Sequence, residues 1–407
     1  MRLRILGASV SVIFDSGVSA AQRAELRRAW SRCLEEGEDL AIDCTSTGRN
    51  SPVDDDGSTP PFRARILRGA AVVPVSGVTF EGFAAELTSA LTLAAIEQRG
   101  GELLMLHASG LSDPRTGRTA ALVGPSGIGK TTATRVLARG LGYVSDETVG
   151  IEPGGSVVPY PKPLSVIVDE PPDPKRQLGP DALGLRAAPT PGSLGAVVLL
   201  ERERSPAGSG RAAEVRPLSH AEAIVGLAPH TSSLGKLRRP LQLLCELLDA
   251  CGGGVSVAYR EAEDLAGLIP GLLARPPVAG GWAPAVVPLP RADDGDLPPG
   301  CLPPGCLPPG CLPPGSAAPG HLRRGDVVDA VEIAIPGGGS ELLVMVGQRV
   351  LRLGGIVPAL WRAVGSPARF EDLAARIAPE VGLPSGHEEA LSRAVELLVD
   401  YGVLTRS

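Results

Sequence analysis

Apolar residues in this chain recur either in short continuous runs or at the three-to-four-residue spacing of helices. The runs predict strands at 2–14, 103–107, 119–123, 142–151, 194–201 and 255–259. Helical spacing predicts helices at 20–34, 86–98, 132–141, 220–227, 241–250 and 262–273. Residues 165–193 are rich in Pro, Gly and Ala, and they predict an irregular loop. Together these segments predict an α/β fold for the first two-thirds of the chain.

A second pattern of apolar residues begins near residue 323. It predicts strands at 327–335, 341–346 and 349–353, and helices at 357–364, 370–378 and 388–398. Three strands followed by three helices predict a small α+β, winged-helix-like unit.

The composition changes between these two patterns. Residues 286–319 contain CLPPG three times, at 301–315, and a further LPPG at 297–300 directly precedes that series. Such Pro-Pro-Gly units favour polyproline II without a core, and glycine at every fifth residue excludes the every-third spacing of collagen. We therefore predict a first domain at 1–275, a Pro/Gly-rich linker at 276–322 and a second domain at 323–407.

One stretch in the first domain carries a specific chemical pattern. Residues 124–131 read GPSGIGKT and match G-x-x-x-x-G-K-[ST] at every fixed position. A predicted strand precedes it and a predicted helix follows, so backbone N–H groups and the helix dipole would converge on phosphate. Lys130 would reach the β- and γ-phosphates of ATP, and Thr131 would ligate Mg²⁺. The predicted nucleotide contacts are Gly124, Pro125, Ser126, Gly127, Ile128, Gly129, Lys130, Thr131 and Thr132.

An acidic pair follows the helix that starts at this loop. Asp146 and Glu147 lie 16 and 17 residues beyond Lys130. A short helix followed at once by a strand returns the chain beside the loop, so these carboxylates can face the γ-phosphate. A carboxylate there would hold Mg²⁺ or accept the proton of an attacking hydroxyl. The alternative, on spacing alone, is a surface turn that opens a hairpin.

The order of these motifs resembles the catalytic domain of the HPr kinase family. The residues that carry the resemblance are His107-Ala108, GPSGIGKTT at 124–132, Ser145-Asp146-Glu147 and PYPKPL at 159–164. The resemblance spans about 103–273 and implies an HPr kinase/PEP carboxykinase-like P-loop domain.

This resemblance implies roles for individual residues. Asp146 matches the general base that activates the accepting serine, and Lys130 and His107 match catalytic residues near the phosphates. Thr131 and Glu147 match the Mg²⁺ site, with Glu147 in place of the family's second Asp. The chain has no counterpart of the family's glycine- and arginine-rich second signature. The resemblance therefore implies kinase chemistry with ATP and Mg²⁺, on a substrate other than HPr, and gives no basis for phosphorolysis.

The C-terminal pattern resembles the PqqD family, the leader-recognition element of ribosomal peptide modification systems. The residues that carry it are VLRLGGIVPALW at 350–361, FEDLAARI at 370–377 and AVELLVDYGVL at 394–404. By this resemblance a precursor (leader) peptide adds a strand at the Arg349–Leu353 edge, beside a groove wall at Ala390–Val399.

Charge and composition exclude several classes of partner. Winged helices often bind DNA, but residues 323–407 carry nine Arg, no Lys and eleven Asp+Glu. The whole chain has a formal net charge of −6 and no basic block, so we predict no nucleic-acid partner. No run approaches 18 apolar residues and no cleavable signal is evident, so we predict a cytoplasmic protein without a membrane partner. Seven cysteines without a CxxC pair predict neither a disulfide framework nor a zinc site.

Taken together, the two resemblances imply an ATP-dependent serine kinase. Its substrate would be a hydroxyl of a ribosomally synthesised precursor peptide, such as a lasso peptide, a class in which kinases resembling this one act. Two alternatives stay open. One is a nucleotide-dependent switch that presents the peptide without phosphoryl transfer, and the other is a regulatory kinase acting on a carrier protein.

Overall fold

The computed structural model describes residues 1–35, 60–167, 175–202, 213–285 and 320–406. The CLPPG series of the predicted linker lies outside the described residues. The chain divides into two compact units. The first comprises Met1–Ser219, Pro229–Leu237 and Leu247–Val278, and the second comprises His220–Ala228, Arg238–Glu246 and Ala279–Ser407.

Strands and helices are mixed along the chain up to residue 278. The strands are β1 (Arg2–Ile5), β2 (Ala8–Phe14), β3 (Phe62–Arg68), β4 (Ala71–Gly77), β5 (Leu104–Ser112), β6 (Arg118–Val123), β7 (Gly142–Ser145), β8 (Thr148–Ile151), β9 (Ser156–Val158), β10 (Leu164–Ile167), β11 (Lys175–Leu178), β12 (Gly192–Arg202), β13 (Glu214–Pro217), β14 (Thr231–Ser232) and β15 (Gly254–Tyr259). The helices are α1 (Ala20–Ala29), α2 (Phe80–Gln98), α3 (Lys130–Leu137), α4 (His220–Leu227), α5 (Pro240–Ala250) and α6 (Ile269–Leu273). This mixed architecture confirms the predicted α/β class. Within the described part of the chain, no helix has both the length and the apolar character needed to cross a bilayer.

A four-stranded antiparallel sheet forms the N-terminal part of the first unit. Its strands β1 to β4 follow one another in chain order. Leu6 and Gly7 connect β1 to β2 and both have positive φ, 49° and 80°, as a two-residue hairpin turn requires. Helix α2 packs against β4 and buries Phe83, Leu87 and Leu91 completely. This apolar layer gives the first unit one of its cores.

A larger mixed sheet carries the predicted phosphate-binding stretch. Its strand order is β13-β15-β12-β6-β5-β8-β9, and β7 and β14 also pair with β5. Strands β6, β12 and β15 run parallel to one another, whereas β5 is antiparallel to β6. Residues 119–123 of β6 are all buried, which accounts for their apolar run. The chain leaves the carboxyl end of β6 and enters α3, which packs on β5.

Several segments of the first unit differ from the predictions. The strand run predicted at 2–14 is the hairpin β1–β2, and the helix predicted at 20–34 ends at residue 29. The strand predicted at 142–151 is two strands, β7 and β8, separated at Asp146 and Glu147. The irregular loop predicted at 165–193 contains the antiparallel pair β10–β11 among its described residues. Strand β11 was missed because its sequence, KRQL, is largely polar and none of its residues is buried. The helix predicted at 262–273 is a 3₁₀ turn at Ala262–Leu265 followed by the short α6.

The second unit contains the C-terminal strands and helices. They are β16 (Trp282–Pro284), β17 (His321–Arg324), β18 (Asp329–Ala334), β19 (Ser340–Val346), β20 (Arg349–Leu353), β21 (Ala368–Arg369), β22 (Leu404–Arg406), α7 (Val357–Ala363), α8 (Phe370–Val381) and α9 (His387–Asp400). One sheet has the order β16-β18-β19-β20, and a smaller one has the order β21-β17-β22. All six predicted elements are present, but the sequence did not indicate β16, β17, β21 and β22. The predicted boundary after residue 322 falls inside β17.

Both faces of β19, an inner strand of the larger C-terminal sheet, are buried. Leu342 and Val344 of β19 join a core with the helices α7, α8 and α9. Leu343 and Met345 alternate with them and are equally buried on the opposite face. In the same unit, helix α4 packs near β20, and the Asp329 carboxylate accepts N–H groups at the start of α5. The segments 220–228 and 238–246 therefore belong structurally with the C-terminal sheet.

Candidate functional site

The phosphate loop, residues 124–131, has the backbone shape that its glycines permit. Gly127 and Gly129 have φ of +82° and +102°, in the left-handed region, and Gly129 caps the N-terminus of α3. Apart from chain neighbours, no atom of the described residues would lie within 4 Å of a Cβ built at Gly127. The Tyr259 hydroxyl donates to the carbonyl of Ile128 at 2.8 Å and fixes the loop from outside. The backbone of this loop is thus open to a ligand on the side of Gly127.

Lys130 turns its side chain back into the loop. Its ammonium donates to the carbonyl oxygens of Gly124 at 2.7 Å and Pro125 at 3.1 Å. The residue is buried, and burial lowers the pKa of Lys130 although Asp146 and Glu147 act in the opposite direction. The loop's own carbonyls therefore hold a buried cation where the pattern predicts contact with phosphate.

The acidic pair lies in the break between β7 and β8. Both strands pair with β5, and the Ala108 N–H donates to the carbonyl of Glu147 at 3.1 Å across the break. Asp146 is only 6% exposed, so it does not lie in a solvated surface turn. The Thr131 hydroxyl donates to Asp146 Oδ2 at 3.3 Å. The fold thus brings Asp146 to the start of α3.

Lys162 is the principal residue that the sequence analysis missed. It is 3% exposed, and its Nζ lies 3.2 Å from Asp146 Oδ1 and 3.0 Å from Glu147 Oε2. Burial opposes its charge, but the two carboxylates outweigh burial and raise the pKa of Lys162. The Tyr143 hydroxyl, also buried, lies 2.9 Å from the Lys162 carbonyl oxygen and 3.3 Å from Asp146 Oδ1. A buried cation thus bridges the two carboxylates.

Two histidines lie close to each other, His107 in β5 and His230 at the end of the 3₁₀ turn that precedes β14. Thr231 of β14 pairs with Leu106 of β5 in antiparallel register, which sets His230 opposite His107. Burial, followed by the Lys130 charge, lowers the pKa of both histidines. Glu147 acts in the opposite direction on His107 alone. His107 thus lies within electrostatic range of Lys130, and His230 lies beside it as a second histidine.

The predicted site residues therefore have different surroundings. Lys130, Thr131 and Asp146 form one connected group, and His107 lies within electrostatic range of Lys130 and Glu147. Pro125, Ser126, Gly127 and Thr132 are exposed, and Gly124 is buried. The described residues contain no group of three or more His, Cys, Asp or Glu arranged to hold a metal ion by themselves.

Comparison with known proteins gives little beyond this geometry. No protein-family model and no curated protein matches the chain. Among solved structures, the chain is similar to the Hpr(Ser) kinase/phosphatase from Coxiella burnetii at 14% identity and a TM-score of 0.21. The match covers 42% of this chain and 93% of that chain. A likeness at this level does not establish a shared activity.

Proposed function

We propose that this chain is an ATP-dependent kinase that phosphorylates a hydroxyl, most simply that of a serine, on a ribosomally synthesised precursor peptide such as a lasso peptide. The observation that carries the proposal is the contact between Asp146 and Thr131. A carboxylate held at the first turn after a phosphate loop is positioned to act where a γ-phosphoryl group is transferred. The first unit would bind the nucleotide, and the second would capture the peptide.

The phosphate loop fits ATP by its shape and its cation. The left-handed glycines Gly127 and Gly129 leave the loop open, and its N–H groups precede the N-terminus of α3. In binding ATP, the Lys130 ammonium would exchange the carbonyls of Gly124 and Pro125 for phosphate oxygens. Such a charge-assisted contact is worth about 1.5–3 kcal/mol.

The side chains near the loop also fit a magnesium ion. Thr131 and Glu147 supply hydroxyl and carboxylate oxygens, the ligands that this hard cation prefers. Lys162 occupies Oε2 of Glu147, so Oε1 is the oxygen that we assign to the metal. Bound Mg²⁺ would neutralise the charge that develops on the transferring phosphoryl group.

Asp146 would serve the acceptor side of the reaction. Its Oδ2 faces Thr131, whereas its Oδ1 is held by Lys162. Oδ2 would take the proton from the serine hydroxyl as the serine oxygen bonds to the γ-phosphorus. The bond from that phosphorus to the β,γ-bridging oxygen breaks, and ADP leaves with the electron pair. His107, half-buried and near Lys130, would contact the phosphates as a neutral donor, since its pKa is lowered by burial and by Lys130.

The second unit offers a surface for the peptide. Strand β20 (Arg349–Leu353) lies at the end of its sheet, and a cavity of about 340 Å³ is formed beside it by the β19–β20 turn and Tyr401. An extended leader peptide could add to this edge through its main chain and place a side chain in the cavity. The segment 390–399 of α9 is the proposed wall of the groove.

One observation favours a different function. Lys130 is bonded to its own loop and Asp146 to Lys162, so both proposed catalytic groups already have partners. A nucleotide-dependent switch would exchange such contacts when it binds ATP. It would then present the peptide without phosphoryl transfer. The two functions differ in whether the Asp146 carboxylate is needed.

The test replaces Asp146 by Asn, which keeps the shape but removes the base. We expect phosphorylation of a lasso precursor peptide by [γ-³²P]ATP to fall by roughly 10²–10⁴. ATP affinity measured by calorimetry should stay near that of the wild type. Lys130→Ala should instead lower ATP affinity about tenfold or more. Glu152→Gln, on an exposed turn after β8, is the matched control.

The outcomes separate the candidates. Unchanged Mg-ATP binding in Lys130→Ala would remove the nucleotide assignment. Wild-type transfer by Asp146→Asn would show that Asp146 is not the base. ATP binding without any transfer by the wild-type chain would favour the switch.

A further inference from the structure

Lys162 is held in place by several contacts rather than by one ion pair. Its ammonium reaches Asp146 Oδ1, Glu147 Oε2 and, at 3.0 Å, the carbonyl oxygen of Pro163. These three acceptors account for all three ammonium protons. The backbone of Lys162 is also fixed, because its N–H donates to the Tyr160 carbonyl and its own carbonyl lies against the Tyr143 hydroxyl. The position of the charge between the two carboxylates is thus set by the fold.

Lys162 pairs with one oxygen of each carboxylate and not with the other. It takes Oδ1 of Asp146 and Oε2 of Glu147, and Oδ2 of Asp146 remains directed at Thr131. Paired carboxylates beside a transferring phosphoryl group commonly hold two divalent cations about 3.5–4 Å apart. In this chain a buried ammonium already lies between the paired oxygens where one of those cations would bind.

We propose that Lys162 takes the place of a second divalent cation, so that the site uses one metal ion only. This inference rests on the proposed function, which supplies the nucleotide and the single metal. The ammonium holds the two carboxylates together, and it leaves Oδ2 and Oε1 for the proton and the metal. A lysine suits this role because its compact charge has three donors to distribute.

The first test counts metal ions in the wild-type protein. Mn²⁺, which replaces Mg²⁺ and is paramagnetic, is titrated into the full chain with the non-transferable analogue AMPPNP, and free Mn²⁺ is followed by electron paramagnetic resonance. We expect one tightly bound Mn²⁺ per chain. Two tightly bound ions would overturn the inference.

The second test removes the ammonium by substitution and is carried out without nucleotide. Lys162→Met keeps the chain length of the side chain but leaves the two carboxylates facing each other without a cation. We expect this variant to gain a divalent-cation site, so its thermal unfolding midpoint should rise with Mg²⁺ concentration. The wild type and the matched variant Lys175→Met, on the exposed start of β11, should show no such rise.

A double variant separates this gain from a general effect of charge. Lys162→Met with Glu147→Gln has one carboxylate, and its response to Mg²⁺ should be lost. If Lys162→Met does not fold alone, folding in the presence of Mg²⁺ supports the inference. Failure to fold with Mg²⁺ present, or a folded variant that binds no additional Mn²⁺, contradicts it. These measurements need no phosphoryl transfer, so an inactive wild-type chain would refute the proposed function without deciding this result.

Discussion

At the scale of single residues, the sequence pattern predicted the phosphate loop but not the cation beside the acidic pair. Four fixed positions within eight residues made the loop recognisable without any knowledge of the fold. Lys162 lies within PYPKPL, 15 residues beyond Glu147, and nothing in that stretch indicates an ion pair. A weak signal was present, because the chain has only four lysines and Lys162 is one of them. Burial and pairing depend on how residues 160–162 pack against Tyr143 and Val144 of β7, which residue spacing does not predict.

The facing histidines predict a dependence of stability on pH. In the folded chain the pKa values of His107 and His230 lie below the ordinary value of 6.5. At pH values between 6.5 and these lowered pKa values, the two histidines bind more protons in the unfolded chain than in the folded chain. The free energy of unfolding should therefore decrease as the pH falls below about 6.5.

Urea unfolding at pH 7 and pH 5 measures this effect. The loss of stability on acidification should be smaller in His107→Gln and in His230→Gln, and smallest in the double variant. His387→Gln, at the start of α9 in the second unit, is the control. An acid-induced loss equal to that of the wild type in the double variant would show that other groups cause it.

At the scale of elements, the apolar runs predicted where buried strands lie but did not predict where a strand is broken. The strand predicted at 142–151 has the apolar character of both β7 and β8. Its interruption places Asp146 opposite β5 and next to α3, and this depends on the register with Gly110 and His107. Short edge or polar strands such as β11, β17 and β21 have no periodicity that a single sequence can reveal.

The edge strand β20 provides a prediction about peptide capture. Val350 pairs with Met345, and Leu351 pairs with Val344. Because hydrogen-bonded and non-hydrogen-bonded pairs alternate along an antiparallel ladder, one of these two residues directs its N–H toward β19 and the other directs its N–H outward. Proline has no N–H, and in the outward position it should abolish leader binding with little change in stability. In the inward position it should remove a ladder hydrogen bond and lower the thermal unfolding midpoint.

Fluorescence anisotropy of a labelled lasso leader peptide with the full chain measures the binding. Calorimetry of Mg-ATP is the control, and ATP affinity should be unchanged in Val350→Pro and Leu351→Pro. Leader binding that persists in both variants would exclude capture at this edge. Binding of duplex DNA in place of the leader would also contradict the proposal.

At the scale of the whole molecule, the linker gives a prediction from sequence alone. If residues 297–315 only tether two binding functions, deletion of one CLPPG unit should change peptide phosphorylation modestly. The effective concentration of a tethered ligand varies as roughly the −3/2 power of tether length. Replacing Cys301, Cys306 and Cys311 by serine should leave the rate unchanged. A large loss that zinc restores in the parent chain would identify these thiols as metal ligands.

The Asp329 carboxylate has a consequence for how the chain can be divided. It is fully buried and binds the N–H groups of Leu241 and Gln242 and the Gln242 side chain, about 90 residues earlier in the chain. A protease cut after residue 275, followed by separation of the products, would leave three donors of one fragment without their acceptor. The C-terminal unit is thus a discontinuous domain, and a gene encoding residues 323–407 alone would specify an incomplete one.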